Sequence, residues 1–445
     1  MNDTIAAIST SLGIGAISII RVSGVDAIEI VNKIFKGKDL TTVASHTIHY
    51  GFIIEKDKKI DEVLVSVMKS PKTFTTEDVV EINCHGGIST TKKVLELLLV
   101  NGCRLSEPGE FTKRAFLNGR IDLIEAEGIM DLINSQTEAS RNLAISEVSG
   151  NTSNLIHTLR EKLINIISQI EVNIDYPEYY DVKEIENKEI IPFIKEIKEE
   201  INKIIKVSEN SKIIKEGINT IIIGKPNVGK SSILNTLIEE EKAIVTDIPG
   251  TTRDIVEGRL NLDGIILNII DTAGIRETKD LVEQIGVNKS LSLIDKSDLI
   301  IFVLNNNEKI TKEELDILNK IQDKPHIIIL NKVDLENKCQ IDFEHIKLSI
   351  KENIGIDTLK NKIKELFDFE QITTNDINYL MNSRSISILK KCLNIINNIE
   401  NNLSLPIDMI EIDIKEVWNL LGTIIGETYE EELLDNLFSR FCLGK

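Results

Sequence analysis

The sequence predicts a multidomain α/β protein in three parts: an N-terminal α+β domain over residues 1–118, a central all-helical domain over 119–215 plus 372–445, and a doubly wound parallel-sheet domain inserted at 216–371. Three observations predict it. The chain of 445 residues has room for about three domains at roughly 150 residues each. Apolar residues at i, i+3, i+4 and i+7 dominate two separated stretches, 119–215 and 372–441. Between them short apolar runs alternate with helical segments, the pattern of a parallel sheet covered by helices.

In chain order, Gly15 to Val22, Val63 to Met68 and Val79 to Ile82 read as strands, and Thr90 to Val100 as an amphipathic helix. Long helices follow over Ile121 to Ile133, Leu155 to Ile174 and Ile190 to Val207, interrupted once at Tyr176-Pro177. Ile218 to Ile223, Ile265 to Ile270 and His326 to Leu330 are runs of buried-strand type, and Ser232 to Leu237 continues as a helix after the first of them. Helical spacing ends with Glu432 to Phe441. The helices before and after the sheet are expected to pack together.

Hydrophobic residues make up 42% of the chain and aromatics 4%, so the core must be built mainly from Ile, Leu and Val. There is no apolar run of about 18 residues and no basic leader, which predicts a soluble, cytoplasmic protein. Five scattered cysteines form no C-x-x-C pair, which argues against a disulfide framework or a zinc site. The net charge of −19 argues against non-specific nucleic-acid binding by the whole surface. Residues 1–118, with 14 basic and 14 acidic side chains, are neutral, so the acidity lies downstream.

Gly224-Lys225-Pro226-Asn227-Val228-Gly229-Lys230-Ser231 stands between a predicted strand and a predicted helix. This is G-x-x-x-x-G-K-S in the setting its chemistry requires. Backbone N–H groups from Asn227 to Ser232 would close around phosphate at a helix N-terminus, Lys230 would reach the β/γ-phosphates, and Ser231 would hold Mg²⁺. Asp271-Thr272-Ala273-Gly274 ends a second apolar run; the Asp would reach Mg²⁺ through water and the Gly would offer its N–H to a γ-phosphate. Asn331-Lys332-Val333-Asp334 ends a third. Asp334 suits the N1–H and 2-amino donors of guanine; adenine lacks that pair and would leave the carboxylate unpaired. Between the first two motifs lies Thr246-Asp247-Ile248-Pro249-Gly250-Thr251-Thr252, rich in hydroxyls. The set predicts a guanine-nucleotide site on a Ras-like sheet.

Three further runs, Cys84-His85-Gly86-Gly87, Pro108 to Arg120 and Phe441-Cys442-Leu443-Gly444-Lys445, together with Thr246 to Thr252, closely resemble the MnmE (TrmE) family of tRNA-modification GTPases, and the resemblance covers nearly the whole length. The resemblance implies a homodimer joined through its N-terminal domains, with a G domain inserted in a helical one. It implies that, with an FAD-dependent partner, MnmG (GidA), the protein adds an aminomethyl or carboxymethylaminomethyl group at C5 of the wobble uridine (position 34) of certain tRNAs. The one-carbon unit would come from 5-formyl- or 5,10-methylene-tetrahydrofolate.

Residue by residue, the resemblance implies that Glu283 orients the attacking water, because Ile275 stands where many small GTPases place Gln. K⁺ would take the part of an arginine finger, with Asn227 as its marker ligand and Thr246, Ile248 and Thr251 completing an oxygen cage. Thr252 would be the second Mg²⁺ hydroxyl, and Ser349-Ile350-Lys351 the last base-recognition segment, through the Ile350 N–H. Arg21, Glu81, Arg120 and Lys445 would form the folate site: a carboxylate suits the amide-like face of a pterin, and cations suit a glutamate tail. Cys442 is an accessible thiol that the family ties to tRNA modification; His85 reads as a turn contact. A ribosome-assembly GTPase and a regulatory GTPase scaffold are the alternatives. The former usually carries a basic RNA-binding appendage, and none is visible here.

Overall fold

The structure is a computed structural model and describes residues 3–175, 187–240, 256–262, 264–270, 294–295, 297–367, 382–402, 406–441 and 444. Contacts divide the chain into two compact units, Met1–Met130 with Glu147–Asn187 and Asn401–Lys445, and Asp131–Ser146 with Lys188–Glu400.

In the first unit seven strands form one sheet: β1 (Ile5–Ile8), β2 (Ile17–Ser23), β3 (Phe35–Lys36), β4 (Thr47–Glu55), β5 (Lys58–Met68), β6 (Val79–His85) and β7 (Arg104–Leu105), in the order β3-β4-β5-β6-β2-β1-β7. Period-2 alternation decides which face is covered. Val63, Val65 and Val67 of β5 and Val80 and Ile82 of β6 are buried, with Ala27, Val31, Val94 and Leu98 in the same cluster. Those last four come from α1 (Ala27–Ile34) and α2 (Ile88–Val100), so the two helices cover that face. The other face carries Arg21 and Glu81, which are direct partners in the β2–β6 register.

Next come α3 (Glu110–Leu117), α4 (Leu123–Asn134), α5 (Glu138–Val148), α6 (Asn151–Asp175) and α7 (Asn187–Glu216). The predicted break at Tyr176-Pro177 lies outside the described residues. The C-terminal helices α12 (Ile407–Ile425) and α13 (Glu431–Phe438) belong to the first unit. There α12 runs against α6, and Phe438 and Phe441 pack with Phe116 and Leu123. The sequence before and after the inserted sheet does meet, as its spacing predicts.

Within this unit Arg114 of α3 is buried among carboxylates. Its guanidinium bonds Asp3 Oδ1 at 2.8 Å, Glu77 Oε1 at 3.1 Å and Glu110 Oε1 at 3.0 Å. A buried charge without such partners would cost several kcal/mol. Three carboxylates therefore tie the chain start, the approach to β6 and α3 together.

The second unit holds a six-stranded sheet of β8 (Ile218–Ile223), β9 (Val256–Leu262), β10 (Ile265–Ile270), β11 (Leu299–Asn305), β12 (His326–Asn331) and β13 (Ile346–Leu348), in the order β13-β12-β11-β8-β10-β9. Even and odd positions feed two different cores. Ile218, Ile222, Leu299, Ile301 and Ile329 pack with α8 (Lys230–Glu240) and α10 (Ile356–Leu366). Ile221, Ile223, Ile300, Phe302 and Ile328 pack with α9 (Lys312–Ile321). Helices on both faces of a mainly parallel sheet make it doubly wound. The edge strand β9 departs from the expected parallel pattern: it pairs antiparallel with β10, to which it is joined by a tight turn at Gly264. The helix α11 (Ser383–Asn401) also lies almost wholly in this unit.

Candidate functional site

The loop from Gly224 to Gly229 joins the C-terminal end of β8 to α8, at the centre of the second sheet. Ligands of open α/β sheets sit outside those strand ends. Gly229 has φ +105°, and a Cβ added there would meet the Asn331 amide nitrogen at 2.2 Å. That amide donates to the Val228 carbonyl at 2.8 Å. Lys332 Nζ donates to the Asn227 carbonyl at 2.7 Å, and Asn227 itself has φ +61°. Asn331 and Lys332, singled out for base recognition, thus hold the phosphate loop in shape.

Lys230 Nζ donates to the carbonyls of Gly224 at 2.8 Å and Lys225 at 2.7 Å. Burial pushes its ammonium below the ordinary lysine range, because a low-dielectric setting disfavours the charged form. An anion would offset that cost. The α8 N-terminus, where Lys230 and Ser231 begin the helix, adds first-turn N–H groups and partial positive charge.

Ser349 Oγ donates to Asp334 Oδ1 at 2.7 Å, which orients the carboxylate predicted to read guanine. The Val333 N–H bonds the Leu348 carbonyl at 3.2 Å and brings the two segments together. Ile350 is partly buried against the sheet core, so its bulk is accommodated there. Lys351 follows it in an exposed turn. Of the remaining nucleotide predictions, Thr246 to Thr252, Asp271 to Gly274 and Glu283 lie outside the described residues; β10 ends at Ile270, one residue before Asp271.

A second cluster forms on the open face of the first sheet. Arg21 Nε donates to Glu81 Oε1 at 2.9 Å. The Arg21 guanidinium lies 5.9 Å from the Phe74 ring and 5.8 Å from the Phe111 ring. The Arg120 guanidinium lies 5.0 Å from the same Phe74 ring and donates to the Phe74 carbonyl at 2.6 Å. The chain's end closes the group: Ser9 Oγ donates to the Gly444 carbonyl at 3.1 Å and Arg21 at 3.4 Å. Gly444 has φ +86°, and a Cβ there would meet the Ile8 carbonyl at 2.6 Å. Three of the four predicted folate contacts, Arg21, Glu81 and Arg120, therefore share one site with the C-terminal segment. Lys445 and Cys442 lie outside the described residues. Phe74 and Ser9 were missed, since a lone Phe and a lone Ser carry no pattern. His85 is exposed and bonds Asp61 Oδ1 at 2.7 Å through Nδ1, a contact at the strand end.

A glycine-bounded lysine loop at the strand ends of a doubly wound sheet, with an oriented Asp beside it, defines a P-loop protein of the guanine-nucleotide class. The chain matches the family described as MnmE helical domain over residues 123–442 and the one described as GTP-binding protein TrmE N-terminus over residues 4–120. It belongs to the MnmE (TrmE) family. Two curated relatives, both called tRNA modification GTPase MnmE, come from Bacillus cytotoxicus and Bacillus mycoides; each is 51% identical, over 100% of this chain and 99% of its own length. Among solved structures, the G domain of FeoB from Methanococcus jannaschii covers 34% of this chain and 98% of its own, at 23% identity and a TM-score of 0.25. Among the described residues no helix is long and apolar enough to cross a membrane.

Proposed function

We propose that this chain is a cytoplasmic GTP-hydrolysing enzyme of tRNA modification. Together with an FAD-dependent MnmG (GidA) partner, it adds an aminomethyl or carboxymethylaminomethyl group at C5 of the wobble uridine of certain tRNAs. The one-carbon donor is 5-formyl- or 5,10-methylene-tetrahydrofolate. The observation that carries the reading is that one chain, alike over its full length to the MnmE relatives, holds both the Lys230 loop and the Arg21–Glu81–Arg120 cluster.

In the nucleotide site Lys230 grips the phosphates and Asp334 selects guanine. Ser231 and Thr252 are the residues that would hold Mg²⁺; Asn227, Thr246, Ile248 and Thr251 would hold K⁺. Their hard oxygen donors suit both ions. When bound, the two ions neutralise charge on the phosphates. Glu283 orients water. In the second site the donor set fits a flat heterocycle with an anionic tail. Glu81 offers an acceptor to ring N–H donors, the Phe74 ring offers a stacking face, and Arg21, Arg120 and Lys445 offer cations. Cys442 places a thiol two residues from the Gly444 contact.

A homodimer through the N-terminal sheet is supported by Ile48, Tyr50 and Leu64, three exposed apolar side chains on paired strands; Tyr50 and Leu64 are direct partners. The three-part division at 1–118, 119–215 plus 372–445 and 216–371 remains the working domain scheme.

The decisive experiment is mass spectrometry of tRNA nucleosides from cells lacking the gene, restored with wild type or with Lys230→Ala. Loss of the C5-modified uridine on deletion, restored by wild type alone, is expected. Unchanged nucleosides on deletion would refute the proposal.

A further inference from the structure

Lys225, the second residue of the phosphate loop, donates to Glu314 Oε2 at 2.9 Å. Glu314 sits in the first turn of α9, and its side chain is 7% exposed. The same oxygen accepts the Thr311 N–H at 2.8 Å and the Thr311 hydroxyl at 2.9 Å. A buried carboxylate left without such donors would carry an uncompensated desolvation cost.

The pair sits where it bears on phosphate binding. The carbonyl of Lys225 is one of the two that receive Lys230 Nζ. The side chain of Lys225 is thus fixed to α9 while its main chain aims the phosphate-gripping lysine. The other loop anchors, Asn331 and Lys332, come from the end of β12 and hold Val228 and Asn227. The Lys225 anchor is separate from them. It comes from a helix on the sheet face opposite α8.

We propose that Lys225 and Glu314 are a positioning pair of the GTP site. They set the first turn of the phosphate loop, and through it the reach of Lys230, without touching the base. The inference rests on the nucleotide reading above. It predicts that breaking the pair weakens binding of every nucleotide alike.

The test uses the full-length chain with Lys225→Met, Lys225→Arg, Glu314→Gln and the Lys225→Met/Glu314→Gln double variant. GDP affinity is measured by fluorescence titration, KM and kcat with GTP, and the ratio of GTP to ATP binding by competition. Met or Gln should weaken GDP about tenfold, equal to about 1.4 kcal/mol. KM should rise more than kcat falls, and the GTP:ATP ratio should hold. Lys225→Arg should keep affinity within about threefold of wild type, and the double variant should be no worse than the poorer single one, as expected for partners in one interaction. A simple structural defect would move kcat, KM and melting together and would not be rescued by Arg.

Lys225→Met leaves both Thr311 donors on Glu314, so it decides the matter even if Glu314→Gln unravels α9. GDP affinity within twofold of wild type in Lys225→Met, or losses that add in the double variant, overturns the inference. Wild-type protein that binds no GDP would instead sink the nucleotide reading itself.

Discussion

Replacing Gly229 by Ala tests how the phosphate loop is held. The new Cβ would stand 2.2 Å from the Asn331 amide nitrogen, at a backbone φ of +105°. Two costs follow. Holding an L-residue at such a φ costs about 1–2 kcal/mol. Driving the Asn331 amide from the Val228 carbonyl, a buried 2.8 Å bond, costs about 1–3 kcal/mol. If the loop escapes both by relaxing to another shape, its N–H groups leave their places around phosphate, and the penalty reappears as lost affinity. The combined range of about 2–5 kcal/mol corresponds to GDP binding about thirtyfold weaker or worse. Fluorescence titration with GDP measures it. The Gly229→Ala/Asn331→Ala variant separates the two costs: with the amide removed, the further loss caused by Gly229→Ala should shrink to the backbone part, about 1–2 kcal/mol. Affinity for Gly229→Ala within threefold of wild type would refute the reasoning. An undiminished loss on the Asn331→Ala background would show that the clash with Asn331 is not its source.

Asp334→Asn should remove the preference for GTP over ATP, because an amide no longer accepts from both guanine donors; unchanged competition by ATP would count against the base assignment. Arg21→Met and Arg120→Met should each weaken tetrahydrofolate binding about tenfold or more, the scale of a charge-assisted hydrogen bond, and leave GTP hydrolysis intact; equilibrium dialysis with the folate reports it. Replacing K⁺ by Na⁺ should slow GTP hydrolysis severalfold, and equal rates would dismiss the Asn227 cage. Burial by itself would raise the Glu110 carboxyl, but Arg104, the Glu107 N–H and Arg114 outweigh it and hold it below the usual carboxylate range. The folded chain therefore binds fewer protons there than the unfolded one, so this stability is present above the unfolded pKa and is lost as pH falls through the folded one. Glu110→Gln should flatten the fall in urea stability between about pH 5 and pH 3; parallel curves for the two proteins would exclude that source.

The sequence by itself determined the nucleotide motifs and about half of the elements, because those signals are local. Ile218 to Ile223 is a strand with the predicted bounds, and the loop after it needs glycine at fixed places whatever else the chain does. Periodicity likewise showed α2 and α6 with ends off by a few residues, since capping contacts are not written in apolar spacing, and showed α7, which runs on past the predicted Val207 to Glu216. The antiparallel sense of β9 was not legible, for a strand's direction is set by which neighbour it finds.

Only the tertiary structure decided which distant residues share a site. Arg21, Glu81, Arg120 and Gly444 are far apart in the chain; a family resemblance grouped the first three with Lys445, but no spacing or periodicity in the sequence does. The β2–β6 register sets Arg21 opposite Glu81, the packing of Phe438 and Phe441 brings the chain's end back, and Phe74 comes to stand beside both arginines. The link from Lys225 to Glu314 has the same origin. A motif records what must touch phosphate; what steadies the motif from across a sheet depends on side-chain directions that exist only once the sheet and α9 have packed.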